Sequence, residues 1–152
     1  GLDREVTLAR TTDATLLNQV ANHPDVRPWL GADGVSFVDV GVLLNLPGAF
    51  ALTNEWGGFV FMLTGDGAYE FHTMFLPEGR GRRALRASLE ACDLMFGAYG
   101  APALQTYVPH GNVAAKWLVK FVGFTETHAD AEQSYWRLTK AEWEARAPRA
   151  AA

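Results

Sequence analysis

The stretch Phe75-Leu76-Pro77-Glu78-Gly79-Arg80-Gly81-Arg82-Arg83-Ala84-Leu85 decides how the chain is read. Ahead of it, residues 68–76 are rich in aromatic and β-branched side chains, as strands are. Behind it, Leu85, Leu89, Cys92 and Met95/Phe96 recur at steps of three or four, the period of a helix with one apolar stripe. The segment is a strand that turns through glycines into a helix. At such a junction the first backbone N–H groups lack partners inside the helix, and the helix dipole adds partial positive charge. A phosphate or pyrophosphate is well held there. Arg80, Arg82, Arg83 and Arg86 are four of the 13 basic residues, set within seven positions. Arginines in a first turn oppose the dipole, and an anion resolves that conflict. A solvated charged face is the plainer reading of the same residues.

The remaining composition narrows the function. A length of 152 residues fits one domain, expected over 1–140 with a tail at 141–152 that holds one helical turn around Trp143 and then frays. The net charge of −4 argues against wholesale binding to nucleic acid or anionic lipid, which need broad positive surfaces. No segment approaches the roughly 20 apolar residues of a membrane span, and the first residues carry no signal-peptide pattern. Cys92 is the only cysteine, so no internal disulfide forms, and a cytoplasmic setting is expected. Cys92 lies on the helix's apolar stripe and reads as core. His23, His110 and His128 lack metal-ligand spacing, so no metal is expected.

Outward from the central segment, residues 5–10 alternate like a strand. Asp13 opens a helix that stops near Asn22, before His23-Pro24 and Arg27-Pro28. A second short helix is expected over Phe37–Leu46. Residues 49–54, 56–64 and 68–76 form an antiparallel meander, with turns at Glu55-Trp56-Gly57 and Gly65-Asp66-Gly67. After the central helix come a strand over 103–108 and a helix capped by Asn112, whose buried side is read as Val113, Trp117 and Phe121 with Ala114 and Leu118. Strands at 124–127 and 134–138 close the series. A mixed sheet flanked by helices follows, because each amphipathic helix needs a sheet face to cover.

The central segment resembles the cofactor motif of the GNAT N-acetyltransferase family, Val-x-Pro-Glu-x-Arg-Gly-x-Gly-x-Gly. Pro77, Glu78, Arg80 and Gly81 match, while Arg83 and Leu85 stand where the later glycines fall. A second segment, Asn112 to Phe124, is similar to the family's Asn-x-x-Ala-x-x-Leu-Tyr-x-x-x-Gly-Phe at every spacing, with Val119 at the tyrosine position. The resemblance implies an α/β (α+β) fold with a mostly antiparallel sheet of six to seven strands and about four helices. It implies acetyl-CoA as co-substrate, bound by Phe75, Leu76, Arg80, Gly81, Arg82, Arg83 and Ala84, its pantetheine arm lying between splayed strands at 68–76 and 103–108. Asn112 contacts that arm, or is a plain N-cap, or does both.

The resemblance further implies direct attack of an amine on the thioester, with an oxyanion met by backbone N–H groups around Met74 to Leu76. Strand alternation puts Glu70 and His72 on one face, where a histidine suits the role of base; a solvent-facing polar pair is the alternative. The family's tyrosine protonates the leaving thiolate; with Val119 in its place no acid carries over, and Tyr107, near the end of the strand at 103–108, is the candidate to replace it. Asp25, Arg27 and Trp29 are candidates to cover the acceptor. The acceptor is expected to be a small-molecule or peptide amine, and a homodimer is compatible with this reading. The rival is a non-catalytic acyl-CoA-binding sensor or structural module, which Val119 and the altered glycines favour.

Overall fold

The computed structural model describes residues 7–30 and 34–151; positions 5 and 6 of the first expected strand lie outside them. In chain order the elements are β1 (Ala9–Thr11), α1 (Thr15–Ala21), a 3-10 turn (Arg27–Leu30), α2 (Gly41–Leu44), β2 (Phe50–Asn54), β3 (Gly57–Leu63) and β4 (Tyr69–Phe75). After a turn at Pro77–Gly79 follow α3 (Arg82–Asp93) with a π-helical turn (Leu94–Ala98), β5 (Ala103–Pro109), α4 (Val113–Val122), β6 (Thr125–Ala129), β7 (Gln133–Thr139) and α5 (Lys140–Ala151). The seven strands make one sheet in the order β1-β2-β3-β4-β5-β7-β6. It is antiparallel except between β4 and β5.

Strand alternation divides the core into two layers. Leu52, Phe59, Phe61, Phe71 and Phe75 face α3, α4 and α5. Ala51, Val60, Met62 and Met74 face α1 and α2. The phenylalanines meet edge-on or tilted, as at 5.5 Å between Phe59 and Phe75 and 5.8 Å between Phe61 and Phe71. The side of α3 against the sheet is small, with Ala84, Ala87, Ser88 and Ala91 buried, so this helix sits close to the strands.

Three expectations need correction. The second helix is only Gly41–Leu44, because side chains of α1 and of its C-cap Asn22 hold the preceding backbone. Asn22 donates to Val38 O and accepts from Val38 N, both at 2.8 Å, and Asn18 Oδ1 accepts from Val40 N at 2.7 Å. The buried side of α4 is Val119 and Val122, with Ala115 and Leu118 packed at its margin. Val113, Trp117 and Phe121 are instead 75%, 55% and 49% exposed, and the last two rings stack at 5.1 Å. Apolar periodicity picks out the bulkier stripe, whereas the sheet accepts the slimmer one. Finally, the C-terminal segment is the helix α5, tied down by Trp143, which is 4% exposed and stacked on Phe96 at 6.1 Å.

Candidate active site

β4 and β5 are joined in register only at Tyr69–Leu104 and Glu70–Gln105. One residue further, the buried Thr106 donates its hydroxyl to Phe71 O at 2.8 Å and closes the crotch of a gap between the strands. Sequence reading missed Thr106, although a lone hydroxyl between Leu104 and Val108 on an inward-facing row was a usable signal. Thr106→Val should leave Phe71 O without its partner and destabilise the fold by about 1–3 kcal/mol, measurable by urea titration.

The direction of the β4 peptides follows from its pairing with β3. Leu76 N–H donates to Trp56 O at 2.8 Å, and bonded residues alternate along an antiparallel ladder. His72, Met74 and Leu76 therefore turn their amides to β3, and Thr73 and Phe75 turn theirs into the gap. The carbonyls agree: Phe71 O meets Thr106, and Phe75 O accepts from Arg80 Nε at 3.2 Å. Of the stretch Met74 to Leu76, Phe75 alone turns its amide into the gap, and the exposed Thr73 does the same.

Parallel strands put the starts of α3 and α4 at one end of this gap. Gly81 precedes α3 at φ +67°, a left-handed conformation that favours glycine. The first helical bond runs from Leu85 N to Gly81 O at 3.0 Å. The amides of Arg82, Arg83 and Ala84 ahead of it have no acceptor within the helix, and Gly81 has no side chain to cap them. Arg82 is exposed at this first turn, while Ala84 packs into the core. Arg80 and Arg83 bend back to the protein: Arg80 Nη2 donates to Asp25 O at 2.8 Å, and Arg83 Nη1 to Glu78 O at 2.8 Å, its guanidinium 4.5 Å from the Trp56 ring. At the start of α4, Asn112 Oδ1 accepts from Ala115 N at 3.1 Å, a true N-cap that leaves the side-chain amide nitrogen as a donor.

On the opposite sheet face the candidate catalytic groups come together. His72 Nε2 lies 3.6 Å from Glu70 Oε2, and its ring meets Tyr107 edge-on at 5.2 Å. Burial pushes the His72 pKa below the ordinary histidine value, outweighing the Glu70 carboxylate, which raises it. Burial raises the Tyr107 phenol, helped by Glu70 and Tyr135. At neutral pH this pairs a neutral imidazole, able to accept a proton, with a phenol that keeps its own. Tyr135, not foreseen, extends the row: its ring is 6.2 Å from Tyr107 and stacks on His128 at 4.2 Å, and its hydroxyl donates to Asp130 Oδ2 at 2.7 Å. His110 Nε2 meets Asp130 O at 2.8 Å in the adjoining turn. Arg27 Nη1 donates to Asn22 Oδ1 at 2.9 Å, and Trp29 is 45% exposed in the 3-10 turn. Among the described residues no group of carboxylates, imidazoles and thiols is arranged to hold a metal ion, and no helix is long and apolar enough to cross a membrane.

No protein-family model and no curated protein sequence matches the chain; solved structures do. The GNAT-family acetyltransferase from Bacillus anthracis aligns with a TM-score of 0.68 at 16% identity, over 90% of this chain and 96% of that one. Apo FdhC, a nucleotide-linked sugar GNAT, aligns with a TM-score of 0.66 at 13% identity, over 95% and 93%. The N-acetyltransferase PseH of Campylobacter jejuni, in complex with acetyl coenzyme A, aligns with a TM-score of 0.52 at 19% identity, over 60% and 67%. At these identities the likeness is one of fold: the chain has the GNAT fold.

Proposed function

We propose that this chain, carrying the GNAT fold, is an acyltransferase that moves an acetyl group from acetyl-CoA to an amine held beside it. The observation that carries the reading is the β4–β5 gap, with uncapped helix amides at one end, strand amides along one wall and a histidine–tyrosine pair on the far face. The first-turn amides and the Arg82 guanidinium bind the pyrophosphate. The Asn112 amide nitrogen donates to the pantetheine arm. Acetyl-CoA supplies an activated acyl carbon; the Thr73 and Phe75 N–H groups point to where its carbonyl oxygen gains charge. His72 takes the proton that the attacking amine loses, and Tyr107 holds a proton for the departing thiolate.

The acceptor is a small-molecule or peptide amine, in keeping with similar folds that serve a nucleotide-linked sugar GNAT and a spermidine N-acetyltransferase of Vibrio cholerae. Acetyl-CoA at 100 times its Kd should stabilise the fold by about 2.7 kcal/mol, read as a thermal shift. Arg82→Ala should weaken binding about tenfold, the loss of one charge-assisted hydrogen bond; unchanged affinity removes Arg82 from the site. Release of free CoA across a panel of amines tests turnover. Because Val119 stands where the resemblance puts a tyrosine, binding without turnover on any amine turns the reading to a non-catalytic acyl-CoA sensor.

A further inference from the structure

Behind the gap, on the side of α3 and α4, lies a crevice with a cavity volume of about 30 Å³, open to solvent at one side. Its mouth is at Thr73, which is exposed, and at the half-buried Leu118. Its inner wall is Phe59, Phe61 and Phe71 of the sheet, with Cys92 of α3 and Val119 and Val122 of α4 behind them, all 9% exposed or less. The crevice thus starts at an amide that faces the gap and ends one strand further on, beneath β3.

Protein interiors close voids of this kind, because the lining atoms lose contacts and apolar walls do not hold water. The buried hydroxyl of the wall is already bonded: Ser88 Oγ donates to Ala84 O at 2.8 Å within its own helix. The Cys92 thiol, pushed up to about 12 chiefly by burial, stays neutral and is part of the apolar lining. Inward of Thr73, nothing in the wall recognises a polar ligand. A hydrocarbon chain is what the walls fit.

We propose that the inner end of this crevice is an acyl pocket, and that the acetyl-CoA site also takes straight acyl chains slightly longer than acetyl, butyryl among them, and holds them more tightly. The inference rests on the proposed acyl-CoA site and deepens it. With the thioester carbonyl at the Thr73 amide, the chain beyond it points past Phe71 towards Phe61. Val119 decides the width. A larger ring at that position fills the space against Phe71 and Phe124, whereas the valine leaves it open.

The test is calorimetric titration of the full chain, without acceptor, by free CoA, acetyl-CoA, butyryl-CoA and hexanoyl-CoA. Each methylene buried is worth about fourfold in affinity, so butyryl-CoA should bind about tenfold or more tighter than acetyl-CoA. Val119→Phe should abolish that preference while the protein still melts cooperatively. Cys92→Met, which fills the pocket from the α3 wall, should do the same and guards against misfolding of the first variant. If free CoA binds and chain length makes no difference in the parent protein, the acyl pocket is wrong and the acyl-CoA site stands. If both variants keep the butyryl preference, the chain lies elsewhere and the pocket is again wrong. If neither CoA nor any thioester binds, the proposed function falls and takes the pocket with it.

Discussion

Replacing His72 with alanine should lower kcat for amine acylation about 10²–10⁴-fold, the usual range for loss of a general base, and leave acetyl-CoA affinity within about twofold, measured by calorimetry. The asymmetry follows from placement. His72 turns its backbone to β3 and its side chain to the sheet face opposite α3, whereas the proposed pyrophosphate contacts lie at the end of the gap. Since burial lowers the His72 pKa, the base stays deprotonated below the reference value of about 6.5, and kcat/KM should fall only at more acidic pH. Glu70→Gln removes the carboxylate that opposes this shift, so the acidic limb should move further down in pH. An unchanged limb in Glu70→Gln, or an unchanged kcat in His72→Ala, removes the base assignment. Stability carries the same sign. Below the unfolded-state pKa the unfolded chain takes up a proton that folded His72 refuses, so its contribution is full above about pH 6.5 and is lost as pH falls through the lowered folded value.

The sequence carried the site's ends better than its middle. The junction at Pro77–Ala84 and the cap at Asn112 are local features, set by glycine, proline and a side chain three residues from its partner, and each lies where the pattern puts it. Glu70, His72 and Tyr107 also converge, since alternation along β4 and the neighbouring β5 is enough to put them on one face. The amides that face the gap depend on the register of β3 against β4, fixed by Leu76 and Trp56, and no local pattern reports that. The arginines show the same limit. Their spacing gives a dense cluster, but Arg80 and Arg83 are drawn to carbonyls of Asp25, Phe75 and Glu78 that only the folded turn brings near. On α4 the largest side chains form the most regular apolar stripe, which by periodicity alone faces inward. Packing chose the stripe of Ala115, Val119 and Val122 instead, which is narrow enough to pack beside α3. Trp143 anchors a helix otherwise built of alanine, charged residues and Pro148, and one aromatic in a polar tail gives little periodic signal.

The second large effect is expected at Gly57, the first residue of β3, opposite Phe75. A Cβ there would lie 2.1 Å from Met74 O and 3.0 Å from Phe75 Cα, and the residue sits at φ +143°. Backbone atoms cannot swing away as a side-chain tip can, so β3 and β4 must separate. Left-handed strain of about 1–3 kcal/mol adds to about 1–3 kcal/mol for overpacking, so Gly57→Ala should cost about 2–6 kcal/mol. At this chain length that lowers Tm by about 4–24 °C. Gly67→Ala is the control. It carries φ +87° with no atom within 4 Å of the added carbon, so it bears the strain without the clash. Gly57→Ala should also weaken acetyl-CoA more than tenfold at a temperature where it remains folded, because the separation displaces the row that holds the Thr73 and Phe75 amides; Gly67→Ala should not. Equal melting temperatures for the two variants would mean that β4 is free to shift. A rigid wall of gap-facing amides would then be lost as the basis for acyl transfer.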